Sequence, residues 1–434
     1  MLWKKLKAGN TQQFEQASLS ATLFGAAGDC HPWESHQGPV YAEMRLEASL
    51  CQGKAGDAVS QPASIYTAGM ISCAKVLNWG EFLARPAIEP PAYDTLKRLH
   101  DTPVFVVGAG GSIGSALALR IAALEPPLLV LMDASENNLY ALQRQWAEAG
   151  VAAPTEFRLG SVGDRALLEE IVATHSPGLV FHAGAFKQVP LLEEQPLVAI
   201  ENNVFGTLSL VQAASSAHII LLSTDKAVAP ASIMGATKRL AEQIVLSAGG
   251  TALRLGNVLA SRGSVVEVFA GQIAAGGPLS VTGSEVSRYF VTINEAVNML
   301  LAAALEPDPP VLLAPALPAP HGIADLARFM IRELAPDRPI PVHFTGLRAG
   351  DKETERFWSG AEAPGVAQGK GMISITSPAL ACDTLHGALA RLRNALDARD
   401  VSDALSHMQA LVPDYEPSQT VLSLAAESSA QVMA

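Results

Sequence analysis

Ser223-Thr224-Asp225-Lys226 sets a hydroxyl, a carboxyl and an amine side by side, and Met234-Gly-Ala-Thr-Lys238 follows it closely. A carboxyl and an amine within reach of one ligand can give a proton at one atom and take one at another. Adjacent residues at a strand end point in different directions, so Asp225 and Lys226 can address different atoms of a substrate. Met234 and Lys238 are spaced i, i+4 and share a helix face. Upstream, Gly108-Ala-Gly-Gly111-Ser112-Ile113-Gly114 carries glycines spaced for a tight turn, close approach to a pyrophosphate and helix–strand packing. These two features pair an acid–base site with a nucleotide cradle.

The elements that must position them are read from apolar patterning. Val104–Val107, Leu128–Met132, Leu179–Phe181 and Ile219–Leu222 are short runs suited to strands covered on both faces. Helical patterns over Ser112–Leu124, Glu136–Ala149, Arg165–His175 and Pro196–Ser216 alternate with them. The repeat predicts an α/β fold, a Rossmann-like doubly wound parallel sheet over 103–260. The cradle then follows the first strand, and the acid–base stretch ends the fifth at the ligand-facing edge. Residues 261–415 form a smaller C-terminal substrate-binding lobe whose elements partly return to the sheet, with a helical hairpin over 379–411. Residues 71–102 make a helical lead-in, 1–70 a poorly ordered or adaptor segment, and 416–434 a frayed tail.

Asp133 closes the second strand, roughly 20 residues beyond the cradle, where a carboxylate binds both ribose hydroxyls and repels a 2′-phosphate. That favours NAD over NADP; as the alternative, Asp133 caps the helix starting near Glu136. Asp164, after the third strand, either meets the adenine or caps the helix from Arg165. Taken singly, Lys238 also reads as a solvated lysine, Met234 as core, and Asp225–Lys226 as a surface ion pair of little energy. Their joint placement at the ligand edge favours the functional reading.

Composition narrows the field. A net charge of −12 over 434 residues gives no basic footprint for nucleic acid. Cys30, Cys51, Cys73 and Cys382 have no metal-ligand spacing, so no metal is expected. No apolar run reaches the 18–20 or so residues that span a bilayer, and Met1-Leu-Trp-Lys-Lys-Leu-Lys7 lacks a signal peptide's apolar core. A cytoplasmic protein with reduced thiols is expected.

The stretch from about Trp79 to Pro417 resembles the nucleoside-diphosphate-sugar 4,6-dehydratases of bacterial polysaccharide biosynthesis, within the extended short-chain dehydrogenase superfamily. The segments that carry this are 108–114, Asp133–Tyr140, Phe181-His-Ala-Gly-Ala-Phe-Lys187-Gln-Val-Pro190, Asn203–Thr207, Ser223–Lys238, Arg254–Ser264, Arg288–Phe290, Gly346–Lys352 and Leu411–Pro417. Methionine stands where other dehydrogenases have the tyrosine of Tyr-x-x-x-Lys, and a branch acting on UDP-N-acetylglucosamine shares it. Long members of that branch carry an N-terminal membrane region; this chain resembles a soluble short form.

The resemblance implies NAD held by Gly108, Gly111, Ser112, Ile113, Gly114, Asp133, Ser135, Asp164, Ala183, Ala185 and Lys238. It implies a UDP-sugar gripped by Lys187, Asn257, Arg262, Arg288 and Arg348, with Asp351 near the ribose or uracil, in a homo-oligomer. Hydride leaves C4, water leaves across C5 and C6, and hydride returns at C6. Thr224 bonds the C4 oxygen, Lys226 removes the C5 proton, Asp225 protonates the departing hydroxyl and Met234 packs. Val107, Ser161, Gln188 and Asp351 depart from the family's threonine, aspartate, histidine and glutamate, and Leu313–His321 is Pro-rich and unlike its usual strand. A C4 epimerase and a non-catalytic NAD-binding regulator are the competing readings.

Overall fold

Strands free of polar side chains need cover on both faces, and the central strands have it. The computed structural model describes residues 77–306, 310–365, 371–378 and 382–432. The expected N-terminal segment 1–70, with Cys30, Cys51 and Cys73, lies outside the described residues. β1 (Val104–Val107), β2 (Leu129–Asp133), β4 (Leu179–His182) and β6 (Thr251–Leu255) are buried along their length. With β3 (Thr155–Leu159), β5 (His218–Thr224), β7 (Val311–Pro315), β8 (Ala363–Pro364) and β9 (Met372–Thr376) they form one sheet, ordered β8-β9-β7-β6-β5-β4-β1-β2-β3.

All neighbours from β3 to β7 run parallel, and β9 and β8 add antiparallel at one edge. Chain direction across the sheet reverses between β1 and β4, where Val107 pairs with His182. Sheets of this kind bind ligands at that switch point, outside the carboxyl ends of the strands. The cradle after β1 and the loop 183–188 after β4 both open there.

Two strands escape the apolar-run pattern for different reasons. β3 is the far edge, half-exposed, and alternates polar with apolar side chains. β6 carries Arg254 in a central strand, fully buried. The Pro-rich Leu313–His321 segment begins inside a regular strand: its first three residues end β7, where Leu313 and Ala314 are buried between β6 and β9.

The helix expected over Pro196–Ser216 is broken into Pro196–Ile200, a π-helical turn Glu201–Phe205 and Gly206–Ala213. In that turn Asn203 accepts from Phe186 N at 2.8 Å and donates to Phe186 O at 3.1 Å and Thr237 Oγ1 at 3.1 Å. It thereby ties the loop after β4 to the helix Ile233–Ser247 that bears Lys238.

The second lobe packs helices Val265–Ala274 and Ile323–Leu334 on small strands around Phe269, Leu279, Phe290 and Met330. The lead-in helix Trp79–Leu83 plugs this core, with Phe82 against Phe290 at 5.7 Å. Arg85 follows it, bonded to buried Glu295 at 2.5 Å and to Phe290 O at 3.0 Å. The hairpin forms as Cys382–Asp397 and Val401–Leu411. The frayed tail is corrected: Gln419–Val432 is a helix, because Val421 and Ala425, one turn apart, are buried among the hairpin's apolar side chains.

Candidate active site

Gly108 has φ +77°, and a Cβ there would lie 2.6 Å from Gly184 N. At Gly114 a Cβ would sit 2.1 Å from Gly108 O, so the helix α1 (Ser112–Ala122) reaches the strand only without a side chain. No side chain caps the start of α1. Gly111, Ser112, Ile113 and Gly114, at that helix start, line the crevice, an arrangement that suits phosphate oxygens.

Asp133 lines the crevice, 8% exposed, and accepts from Gly110 N and Ser135 N, each at 2.8 Å. It is not a helix cap, for Ser135 caps Glu136–Glu148 by accepting from Asn138 N. Two acceptor oxygens on the cradle wall fit a pair of ribose hydroxyls. Asp164 takes the second of its two expected roles: it is exposed, caps Arg165–His175 by accepting from Leu167 N at 3.1 Å, and is not among the lining residues, which include Gly160 and Val162.

One crevice of about 930 Å³ joins this cradle to the end of β5. Thr224, Lys226, Met234 and Lys238 line it beside Gly108, Gly111, Ser112, Ile113, Gly114, Ser135, Ala183 and Ala185. Asp225 does not. It is fully buried beneath the turn, and its Oδ1 accepts from Thr224 Oγ1 at 3.0 Å and Lys226 Nζ at 3.0 Å. Of the two routes expected for this carboxyl, direct or through Thr224, the buried placement leaves only the indirect one open. Asp225 Oδ2 has no hydrogen-bond partner among the described residues. Lys226 Nζ also donates to Asn257 Oδ1 at 3.0 Å.

Glu355 is a neighbour the sequence reading passes over. Its Oε1 lies 3.8 Å from Lys226 Nζ, its Oε2 is 2.6 Å from Lys352 Nζ, and it is 4% exposed. Burial pushes its carboxyl up, opposed by Lys226 and Lys352 and reinforced by Asp225. The signal was within reach: Lys352 ends the segment Gly346–Lys352, and Glu355 is three residues on. Lys352 also donates to Val228 O at 2.9 Å, docking this segment on the acid–base turn.

The arginines expected on a diphosphate divide. Arg288 is buried and donates to the carbonyls of Ser287, Lys352 and Glu353 at 2.7–3.0 Å, so it clamps the segment leading to Glu355. Arg262 donates through its guanidinium to Gly110 O and Asn138 Oδ1, and its backbone N–H to Ser112 Oγ at 2.9 Å. It sits on the rim of the cradle, and Lys187 Nζ bonds its carbonyl at 2.8 Å. Among the described residues Arg348 pairs with Asp351, through Nε at 2.8 Å, and its side chain stays largely exposed. All six residues expected at the substrate end, including Asn257, line the crevice.

Burial lowers the Lys238 ammonium to about 8, against the attraction of Glu242. The folded protein thus binds fewer protons here than the unfolded chain between about 8 and 10.5, and stability rises with pH across that window. Below it the whole penalty is present. Lys238→Met is expected to raise the melting temperature at pH 7 by a few degrees, a gain that shrinks above pH 8; thermal unfolding across pH checks it.

A doubly wound sheet whose switch-point crevice joins a glycine cradle to the Thr224–Lys226 turn defines a Rossmann-like α/β protein. The family model described as "Polysaccharide biosynthesis protein" matches residues 104–375, and the chain belongs to that family. It is 35% identical over 302 residues to the Bacillus subtilis (strain 168) protein named "Probable polysaccharide biosynthesis protein EpsC", covering 67% of this chain and 50% of that one. The chain thus spans about half the length of that relative. It is 31% identical over 278 residues to a UDP-glucose 4-epimerase of Rickettsia conorii, covering 60% of this chain and 79% of the epimerase. Among solved structures, Pen from Bacillus thuringiensis superposes with a TM-score of 0.60 at 26% identity, over 64% of this chain and 89% of Pen. No described helix is long and apolar enough to cross a membrane.

Proposed function

We propose that this chain removes water across C5 and C6 of a UDP-N-acetylhexosamine, most simply UDP-N-acetylglucosamine, giving a 4-keto-6-deoxy sugar nucleotide. The observation that carries the reading is the single crevice shared by the cradle and the Thr224–Lys226 turn. A nicotinamide dinucleotide bound in the cradle supplies hydride acceptance from C4 and its return at C6. Asp133 on the ribose side of the cradle favours NAD over NADP, since a 2′-phosphate would meet its charge. Lys238, without a side-chain hydrogen bond to the described residues, is free to hold the nicotinamide ribose.

Met234 cannot accept a proton, so the C4 hydroxyl needs another base. Thr224 Oγ1 faces the crevice and already donates to Asp225. It can pass the C4 hydroxyl proton inward while its own proton moves to the carboxylate. A 4-ketone acidifies C5–H, and Lys226 takes that proton. Asp225 gives its proton back towards the departing C6 hydroxyl through the same two groups. Arg348 and Asp351 are the crevice residues best placed for the diphosphate and ribose, because Arg262 and Arg288 are already engaged. Met234→Leu, a near-isosteric swap, is expected to change turnover by well under about tenfold; steady-state kinetics checks it.

The epimerase reading shares crevice and cofactor. The methionine and the Asp225–Lys226–Glu355 cluster, its two carboxyls buried and its amine at the crevice, favour dehydration, because an epimerase returns hydride to C4 and needs no base at C5. Incubation with UDP-N-acetylglucosamine in D₂O separates the readings. Loss of one water by mass and deuterium at C5 by NMR support dehydration. An isomer of unchanged mass overturns it for epimerisation, and bound NAD with untouched substrate overturns it for a regulator.

A further inference from the structure

Lys226 can take a proton from carbon only as a neutral amine, yet a free lysine is charged at neutral pH. The proposed chemistry leaves open where the resting proton of Lys226 goes. Asp225 Oδ1 already accepts from both Thr224 Oγ1 and Lys226 Nζ, and in the proposed chemistry that carboxyl takes up the C4 hydroxyl proton. On the other side of the amine lies Glu355, out of the crevice and 3.8 Å away.

We infer that Glu355 is a positioning residue that acts through Lys226, accepting the ammonium proton so that the amine meets the substrate neutral. This rests on the reading of Lys226 as the base under Proposed function. In the step, an N–H bond of Lys226 breaks, an O–H bond forms on Glu355 Oε1, and both groups become neutral. When C5 is reprotonated at the end of the cycle, Lys226 is left neutral and recovers its proton from Glu355. Nothing is drawn from solvent.

The charged groups that face Glu355 are Asp225 and Lys226 from the turn and Lys352 from its own segment. Lys352 Nζ pairs with Oε2 at 2.6 Å, and Arg288 fixes the carbonyls of Lys352 and Glu353, so the segment keeps Oε1 on the side of Lys226. Burial, which raises this carboxyl, makes the protonated form accessible.

The pair shares one proton, so the fraction of neutral Lys226 should not change with pH while the pair keeps that proton. With Glu355→Gln the amine must lose its proton to solvent, and its neutral fraction then rises about tenfold per pH unit. The test is trace acetylation of Lys226 by acetic anhydride in the full chain, between pH 6 and 9. Labelling is read by peptide mass spectrometry against an added free amine that corrects for the reagent.

The expected result is a flat profile in the wild type and in Glu355→Asp, and a slope of about one decade per pH unit in Glu355→Gln. In parallel, kcat for water loss in Glu355→Gln should fall at least about tenfold at pH 7, with KM little changed, and recover as pH rises. A merely structural role lowers kcat equally at every pH. The same sloping label profile in wild type and Glu355→Gln overturns the inference whether or not the enzyme turns over. Absence of water loss in the wild type, by contrast, overturns the dehydratase reading alone.

Discussion

Asp225→Asn and Lys226→Ala are each expected to lower turnover of UDP-N-acetylglucosamine at least about a hundredfold, the range for losing a positioned acid or base. The two variants should fail differently. Asp225 is fully buried and meets the crevice only through Thr224 and Lys226. An amide of the same shape keeps an acceptor for those donors but cannot take a proton, so kcat falls while KM stays near its wild-type value.

Lys226 lines the crevice and also bonds Asn257. Truncating it removes the proposed C5 base and a contact to a residue beside the substrate, so KM is expected to rise as well. It also leaves Asp225 and Glu355 facing one another without the cation between them. Lys226→Met, which keeps the stem but no charge, should therefore be no more active than the alanine. Initial rates of water loss at several substrate concentrations read both effects. Near-normal kcat in either variant removes that residue from the mechanism.

What was legible in the sequence was local. The glycine spacing, the strand ends and the i, i+4 pair of Met234 and Lys238 depend on near neighbours, and they bring most of the named residues to one crevice. What was not legible was which polar groups are already satisfied. Asp133 ends a strand and Asp164 comes soon after one, yet the first lines the cradle and the second caps the helix that starts at the next residue. Arg262, Arg288 and Arg348 look alike in their motifs. Backbone carbonyls from distant segments occupy the first two, and only the fold decides that. The same holds for Asp225, whose place at a strand end gave no sign that it would lie beneath the turn. Arg254 interrupted an apolar run for a reason found far along the chain, at Glu362.

That arginine carries the second large effect. Arg254 is fully buried and makes paired bonds of 2.8–2.9 Å to Glu242 and Glu362, plus one to Phe357 O at 2.7 Å. Arg239 adds bonds to both carboxylates. Burial alone would push these carboxyls up; Arg254 outweighs it, with help from Arg239, and holds Glu362 down at about 2 and Glu242 below its usual range. Arg254→Leu leaves two buried carboxylates on one arginine, and the expected cost is about 3–5 kcal/mol, a fall in melting temperature of roughly five degrees for a chain of this size.

The sign with pH follows from the two carboxyls. Their contribution in the wild type is complete above the ordinary glutamate range near 4.5 and is lost as pH falls towards about 2. The deficit of Arg254→Leu should therefore be largest at neutral pH and shrink on acidification. Adding Glu242→Gln to Arg254→Leu should restore part of the loss, because the charge imbalance, more than the packing, is what destabilises. The network also bears on the site: Ser223, next to Thr224, donates to Glu242 at 2.6 Å, and Glu242 lies one turn beyond Lys238 on the same helix. Loosening it should let the Thr224–Lys226 turn drift from Lys238, so Arg254→Leu loses turnover even where it remains folded. Thermal unfolding of the single and double variants between pH 3 and 8 tests the electrostatic account, and a deficit that does not vary with pH would refute it.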